Sequence, residues 1–119
     1  MNTIILNKNK MAARKIEEQI KAAGSKGQPI TLFTKGEIIR FIEQNPADMV
    51  FIDIDDDDLD WQSACNLVKF ADSKIWLVLV SANHHAAAKA FELGASDYIV
   101  KPFGKEQIER TISKWKAVG

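Results

Sequence analysis

The sequence predicts a three-layer α/β protein: a five-stranded parallel sheet of flavodoxin-like order 2-1-3-4-5, with helices on both faces. Two observations carry that expectation. Five short apolar runs alternate with five segments of helical spacing, and each helical segment supplies the crossover of a dozen or more residues that parallel neighbours need. Two of the runs, Met49 to Ile52 and Lys74 to Ser81, are almost wholly apolar, as strands covered on both faces are. Right-handed crossovers then leave few topologies. In the order chosen, the first and third strands are neighbours whose carboxyl ends face each other across a crevice.

Each element has its own signature. Thr3 to Leu6 is a short apolar strand that stops at Asn7, Lys8, Asn9 and Lys10. Met11 to Ala23 carries Ile16 and Ile20 four apart with charges between them, a helix closed by Gly24. Pro29 to Phe33 is β-prone and follows a Gly-Ser-Lys-Gly turn. Glu37 to Gln44 sets Ile38, Ile39, Phe41 and Ile42 on a helical stripe that Asn45-Pro46 ends. After the Met49 strand, Asp60 caps a helix from Trp61 to Phe70, with Trp61, Ala64, Leu67 and Val68 on one face. Lys74 to Ser81 is the second central strand. Asn83 caps a helix from His84 to Leu93, stopped by Gly94. Tyr98 to Val100 is the last strand, Lys101-Pro102 a sharp turn, and Lys105 to Lys116 a final helix with Ile108, Ile112 and Trp115 inward.

Composition narrows the function classes. A chain of 119 residues makes one domain, 1–119, with a single core. Its 46% hydrophobic and 27% charged residues exclude a disordered or membrane composition. Sixteen basic and sixteen acidic residues give zero formal charge, so the chain does not grip nucleic acid or an anionic membrane by bulk electrostatics. A DNA-binding output would lie elsewhere. No apolar run approaches the roughly 20 residues that span a bilayer, and the lone Cys65 excludes an internal disulfide. The expected location is the cytoplasm.

The chemistry concentrates after Met49 to Ile52. That strand runs into Asp53 and a loop holding Asp55, Asp56, Asp57, Asp58 and Asp60, at the sheet edge where open α/β folds bind ligands. Asp53, Asp55 and Asp57 alternate as in a calcium loop, but Asp58 stands at the turn glycine and Ala64 at the bidentate glutamate. His84 and His85 are adjacent and so do not share a helical face. Cys65, with no His or second Cys near it, reads as a small core residue.

The segments FELGASDYIVKPF (Phe91 to Phe103), VLVSA (Val78 to Ala82) and DMVFIDI (Asp48 to Ile54) together resemble the receiver domain of two-component response regulators, in a match that covers essentially the whole chain. The resemblance implies a non-enzymatic phosphorelay module. Asp53 would be its phosphoacceptor, Ser81 the hydroxyl and Lys101 the ammonium on the phosphoryl group, and Tyr98 a rotamer switch. It also raises the expectation of a cis Lys101-Pro102 bond. The implied partners are a histidine kinase or phosphotransfer protein, and an output domain or partner reached through the last strand and last helices, with room for a homodimer. The wording AFELGASDY is similar to regulators with a LytTR-type DNA-binding output.

Physical chemistry fits those roles. A carboxylate attacking a phosphoryl group needs cations against the charge that builds on the transferring oxygens. Lys101 supplies one, Ser81 a hydrogen bond, and Mg²⁺ held by oxygens is the usual third source. Here the chain departs from the family. The acid pair that receivers carry after the first strand is replaced by Asn7 and Lys8, and the first carboxylate of the chain is Glu17. Asp53 and Asp55 are the metal candidates left, and the Mg²⁺ site is expected to be weakened. Lys8 is open to two readings, a surface lysine or an ammonium at the metal position paired with Asp53. The alternative function is a pseudo-receiver that binds partners without phosphorylation.

Overall fold

The computed structural model describes residues 1–24, 27–55 and 60–118. Along them run β1 (Thr3–Leu6), α1 (Lys10–Ala22), β2 (Ile30–Leu32), α2 (Lys35–Gln44), β3 (Met49–Asp53), α3 (Trp61–Ala71), β4 (Trp76–Ser81), a 3₁₀ turn (His84–Ala86), α4 (Ala87–Glu92), β5 (Asp97–Val100) and α5 (Lys105–Val118). The strands form one sheet in the expected order, β2-β1-β3-β4-β5, parallel at every pairing.

Strand alternation divides the core into two layers, because successive side chains point to opposite faces. Ile4, Leu6, Val50, Ile52, Leu77 and Leu79 meet Ile38, Ala64, Cys65, Val68 and Ala90 from α2, α3 and α4. Ile5, Met49, Phe51, Val78 and Val80 point the other way, onto Ala13, Ile16 and Ile20 of α1 and Ile108 and Ile112 of α5. β3 is buried at every position, which explains its lack of an alternating pattern. All three tryptophans are half-buried and pack on these clusters. Burial keeps the Cys65 thiol protonated, its pKa pushed up to about 12.

The helix ends follow local chemistry. Asn9, Thr34 and Asp60 side chains accept backbone N–H groups at the starts of α1, α2 and α3, each cap contributing about 1 kcal/mol. Gly94 leaves α4 with φ +92°, a conformation that side chains with a Cβ resist. The expected helix from His84 to Leu93 is corrected to a 3₁₀ turn followed by a shorter α4. The Asn83 side chain caps the turn through the His85 N–H, while its carbonyl accepts the Tyr98 hydroxyl. The Ala87 N–H donates instead to the His84 carbonyl, so the first turn is wound tighter. The Lys101–Pro102 peptide is cis.

One buried tie between the sheet and α5 was not legible in the sequence. The Trp76 indole N–H donates to Thr111 Oγ1 at 2.9 Å, and Thr111 is fully buried. Thr111→Val keeps the shape but leaves the indole unpaired. It should destabilise the domain by about 1 to 2 kcal/mol, read as a lower urea midpoint at unchanged slope.

Candidate functional site

The sheet register builds the site. Leu6 lies opposite Ile52 in the β1–β3 pairing, so the next residues, Asn7 and Asp53, come side by side with the same facing. Asp53 is opposite Val80 of β4, and Ser81 is opposite Val100 of β5. The carboxyl ends of four strands therefore deliver Asn7, Asp53, Ser81 and Lys101 to one edge.

Asp53 is only 3% exposed, and a carboxylate taken out of water must be compensated. Its Oδ2 accepts Lys101 Nζ at 2.7 Å and Asn7 Nδ2 at 2.9 Å. Its Oδ1 accepts the backbone N–H of Asp55 at 3.0 Å. The ammonium at Asp53 is therefore that of Lys101, whereas Lys8 is exposed.

The Asp55 carboxylate faces the end of β4. Its Oδ1 accepts the Ser81 hydroxyl at 2.5 Å, its Oδ2 the Ala82 N–H at 2.8 Å, and Lys101 Nζ lies 3.2 Å away. Partial burial opposes its ionisation, but the bonds from Ser81, Ala82 and Lys101 outweigh that and hold its pKa below the ordinary 3.8. Burial likewise opposes the Lys101 charge, and the bonds to Asp53 and Asp55 overcome it, raising the pKa above 10.5.

A relay leaves this cluster toward β5. Ser81 Oγ accepts the Asn83 N–H at 2.9 Å, and the Asn83 carbonyl accepts the Tyr98 hydroxyl. Tyr98 is half-buried and packs on the core layer under α4. Sequence reasoning gave Asn83 only a capping role and missed its carbonyl and the Ala82 N–H. Backbone groups leave no signal in residue type. His84 and His85 are exposed, with ring centroids 4.8 Å apart. Asp56, Asp57 and Asp58 lie outside the described residues.

An octahedral Mg²⁺ site needs oxygens with carboxylates among them. Asn7 turns its amide N–H toward Asp53, while its Oδ1 accepts the Asn9 N–H. The Asp55 carboxylate is held by Ser81, Ala82 and Lys101. Among the described residues, no three His, Cys, Asp or Glu side chains converge on a metal position. This donor set does not fit a Mg²⁺ cage as it is arranged.

A buried acid flanked by a lysine and a hydroxyl at the carboxyl edge of a 2-1-3-4-5 sheet defines a receiver-type module. Residues 4–113 match the family model of the response regulator receiver domain, and the chain belongs to that family. It is 32% identical over 119 residues to the transcriptional regulatory protein YpdB of Escherichia coli K12, covering 98% of this chain. It spans about half (48%) of that relative's length. Among solved structures, the response regulatory domain of protein MrkE from Klebsiella pneumoniae superposes with a TM-score of 0.82 at 26% identity, over 99% of this chain and 97% of that one. The receiver domain of sensor histidine kinase PA1611 from Pseudomonas aeruginosa PAO1, solved with magnesium in its active-site cleft, shares the fold with a TM-score of 0.80 at 20% identity, over 98% of each chain.

The Asp55 contacts set a pH dependence. A depressed carboxyl pKa adds stability that is fully present above pH 3.8 and is lost as pH falls through the lower folded value. Ser81→Ala removes one of the bonds responsible. Carboxyl-carbon NMR titration should show the Asp55 midpoint below 3.8 in the wild type and moved upward in Ser81→Ala.

Proposed function

We propose that Asp53 takes a phosphoryl group from a histidine kinase or phosphotransfer protein, and that the change passes to an output domain or partner through β5, α4 and α5. The observation that carries this reading is the compensated burial of Asp53, whose only ammonium among the described residues is Lys101. Asp53 Oδ1 accepts one hydrogen bond there and keeps lone pairs for attack on phosphorus. As the new P–O bond forms, the P–N bond of a phosphohistidine breaks, its electron pair stays on the imidazole, and that nitrogen takes a proton from solvent. Lys101 offsets charge on the transferring oxygens, and Ser81 offers a hydroxyl donor to them. Tyr98 is the switch that carries the state onward.

On this reading residues 1–119 form one receiver domain, which relays a phosphoryl group and is not an enzyme acting on outside substrates. The YpdB name supports a transcriptional output lying beyond these residues, and zero formal charge supports the absence of direct nucleic-acid binding here. No helix among the described residues is long and apolar enough to cross a membrane, which agrees with a place in the cytoplasm. Phe91 on α4 and Val100 on β5 are 52% and 40% exposed, apolar surface available to an output domain, a partner or a second copy in a homodimer.

Acetyl phosphate with Mg²⁺ should label the wild type, seen by intact mass as the gain of one phosphoryl group. Asp53→Asn should stay unlabelled, and equal labelling of the two would remove Asp53 from the role.

The cofactor follows the same logic. With Asn7 and Lys8 in place of acids, Mg²⁺ binding is weak. The double change Asn7→Asp with Lys8→Asp should tighten it and speed labelling of Asp53. A Mg²⁺ titration on both proteins, followed by tryptophan fluorescence, checks this; comparable affinities would show that the loop acids already replace the missing pair.

A further inference from the structure

We infer that the Asp55 carboxylate is a built-in stand-in for the phosphoryl group, holding the same donors that group would need and competing with it for them. The inference rests on Asp53 being the acceptor. Three donors line the edge beside Asp53: the Ser81 hydroxyl, the Ala82 N–H and the Lys101 ammonium. All three are satisfied by the two oxygens of Asp55, at 2.5, 2.8 and 3.2 Å. Lys101 lies between the two acids, 2.7 Å from Asp53 and 3.2 Å from Asp55.

Spacing makes this arrangement specific to position 55. The Asp55 N–H is pinned to Asp53 Oδ1, so the side chain two residues on starts at the acceptor and reaches the end of β4. It is one acid that presents two oxygens and a single negative charge. A phosphoryl group brings three oxygens and more charge. A phosphoryl group on Asp53 would add charge beside Asp55 and compete for the same three donors, and like charges at this range repel. Loading of Asp53 therefore requires Asp55 to swing outward, which its side chain, 33% exposed, has room to do.

The stand-in also reaches the switch. Ser81 is already drawn to the acceptor edge, and through Asn83 it is connected to the Tyr98 hydroxyl. The Tyr98 hydroxyl is thus linked through Asn83 and Ser81 to the Asp55 carboxylate. Without Asp55, the Ser81 end of this relay has no carboxylate to hold it.

The test uses the full chain with Asp55→Ala and Asp55→Asn beside the wild type, and Asp53→Asn as the blank. Labelling by acetyl phosphate, followed by intact mass, should start roughly tenfold faster in Asp55→Ala, the factor for a competent state present in about one molecule in ten. Asp55→Asn keeps the shape without the charge and should fall between. Labelling that is equal or slower in Asp55→Ala overturns the inference, since Asp55 would then be idle or helpful. If no form is labelled, the acceptor reading fails, and the stand-in is judged separately by amide spectra. Inorganic phosphate must then shift the Ser81 and Ala82 signals in Asp55→Ala and leave the wild type unmoved; no shift in the variant overturns it. In unlabelled protein the ring signals of Tyr98, the one tyrosine in the chain, must also move when Asp55 is removed, and static signals overturn the link to the switch.

Discussion

Asp53 carries a carboxylate to a place that water barely reaches, and the carboxyl edge of the sheet is organised by the need to compensate it. Lys101 supplies the charge, Asn7 an amide and Asp55 a backbone N–H. Each donor comes from a different segment, so the compensation exists only when β1, β3 and β5 hold their register. A buried acid that loses one partner is costly, and this ties the integrity of the sheet to the integrity of the site.

The same lysine serves a second acid, and that sharing gives the edge its character. Lys101 joins Asp53 to Asp55, Asp55 engages Ser81 and Ala82, and Ser81 leads through Asn83 to Tyr98. Hydrogen bonds to ionised groups are stronger than neutral ones, so the charged end of this chain is its anchor. The tight 3₁₀ turn after Asn83 adjoins it, since the Asn83 carbonyl accepts the Tyr98 hydroxyl while the Ala87 N–H goes to the His84 carbonyl. After β1 an asparagine donates to Asp53, and among the described residues the positive charge that faces Asp53 is that of Lys101.

The two core layers keep this edge in place. Phe51, Met49 and Val80 fix one face of the central strands on α1 and α5, and Ile52, Val50 and Leu79 fix the other on α2, α3 and α4. Because both faces are covered, a slip of one residue would exchange every inward side chain, and Asn7 and Asp53 would no longer lie together. The apolar packing thereby sets the polar geometry.

The sequence by itself determined the element order, the parallel sheet, the caps at Asp60 and Gly94, and the presence of an acid, a hydroxyl and a lysine at strand ends. These depend on spacing within short segments, where backbone periodicity and capping act over a few residues. The β4 start and α4 were less legible, and the residue that precedes the first turn, Asn83, is tied to Tyr98, 15 residues away. Only the tertiary structure decided which groups meet at the edge. Asn7 and Asp53 are 46 residues apart, Asp53 and Lys101 48, and Asp55 and Ser81 26. Their pairing follows from strand register and from which side of the sheet each residue faces. Lys8 and Asn7 are neighbours in the chain, yet alternation sends Asn7 to Asp53 and leaves Lys8 exposed, and nothing in their residue types alone could have chosen between them.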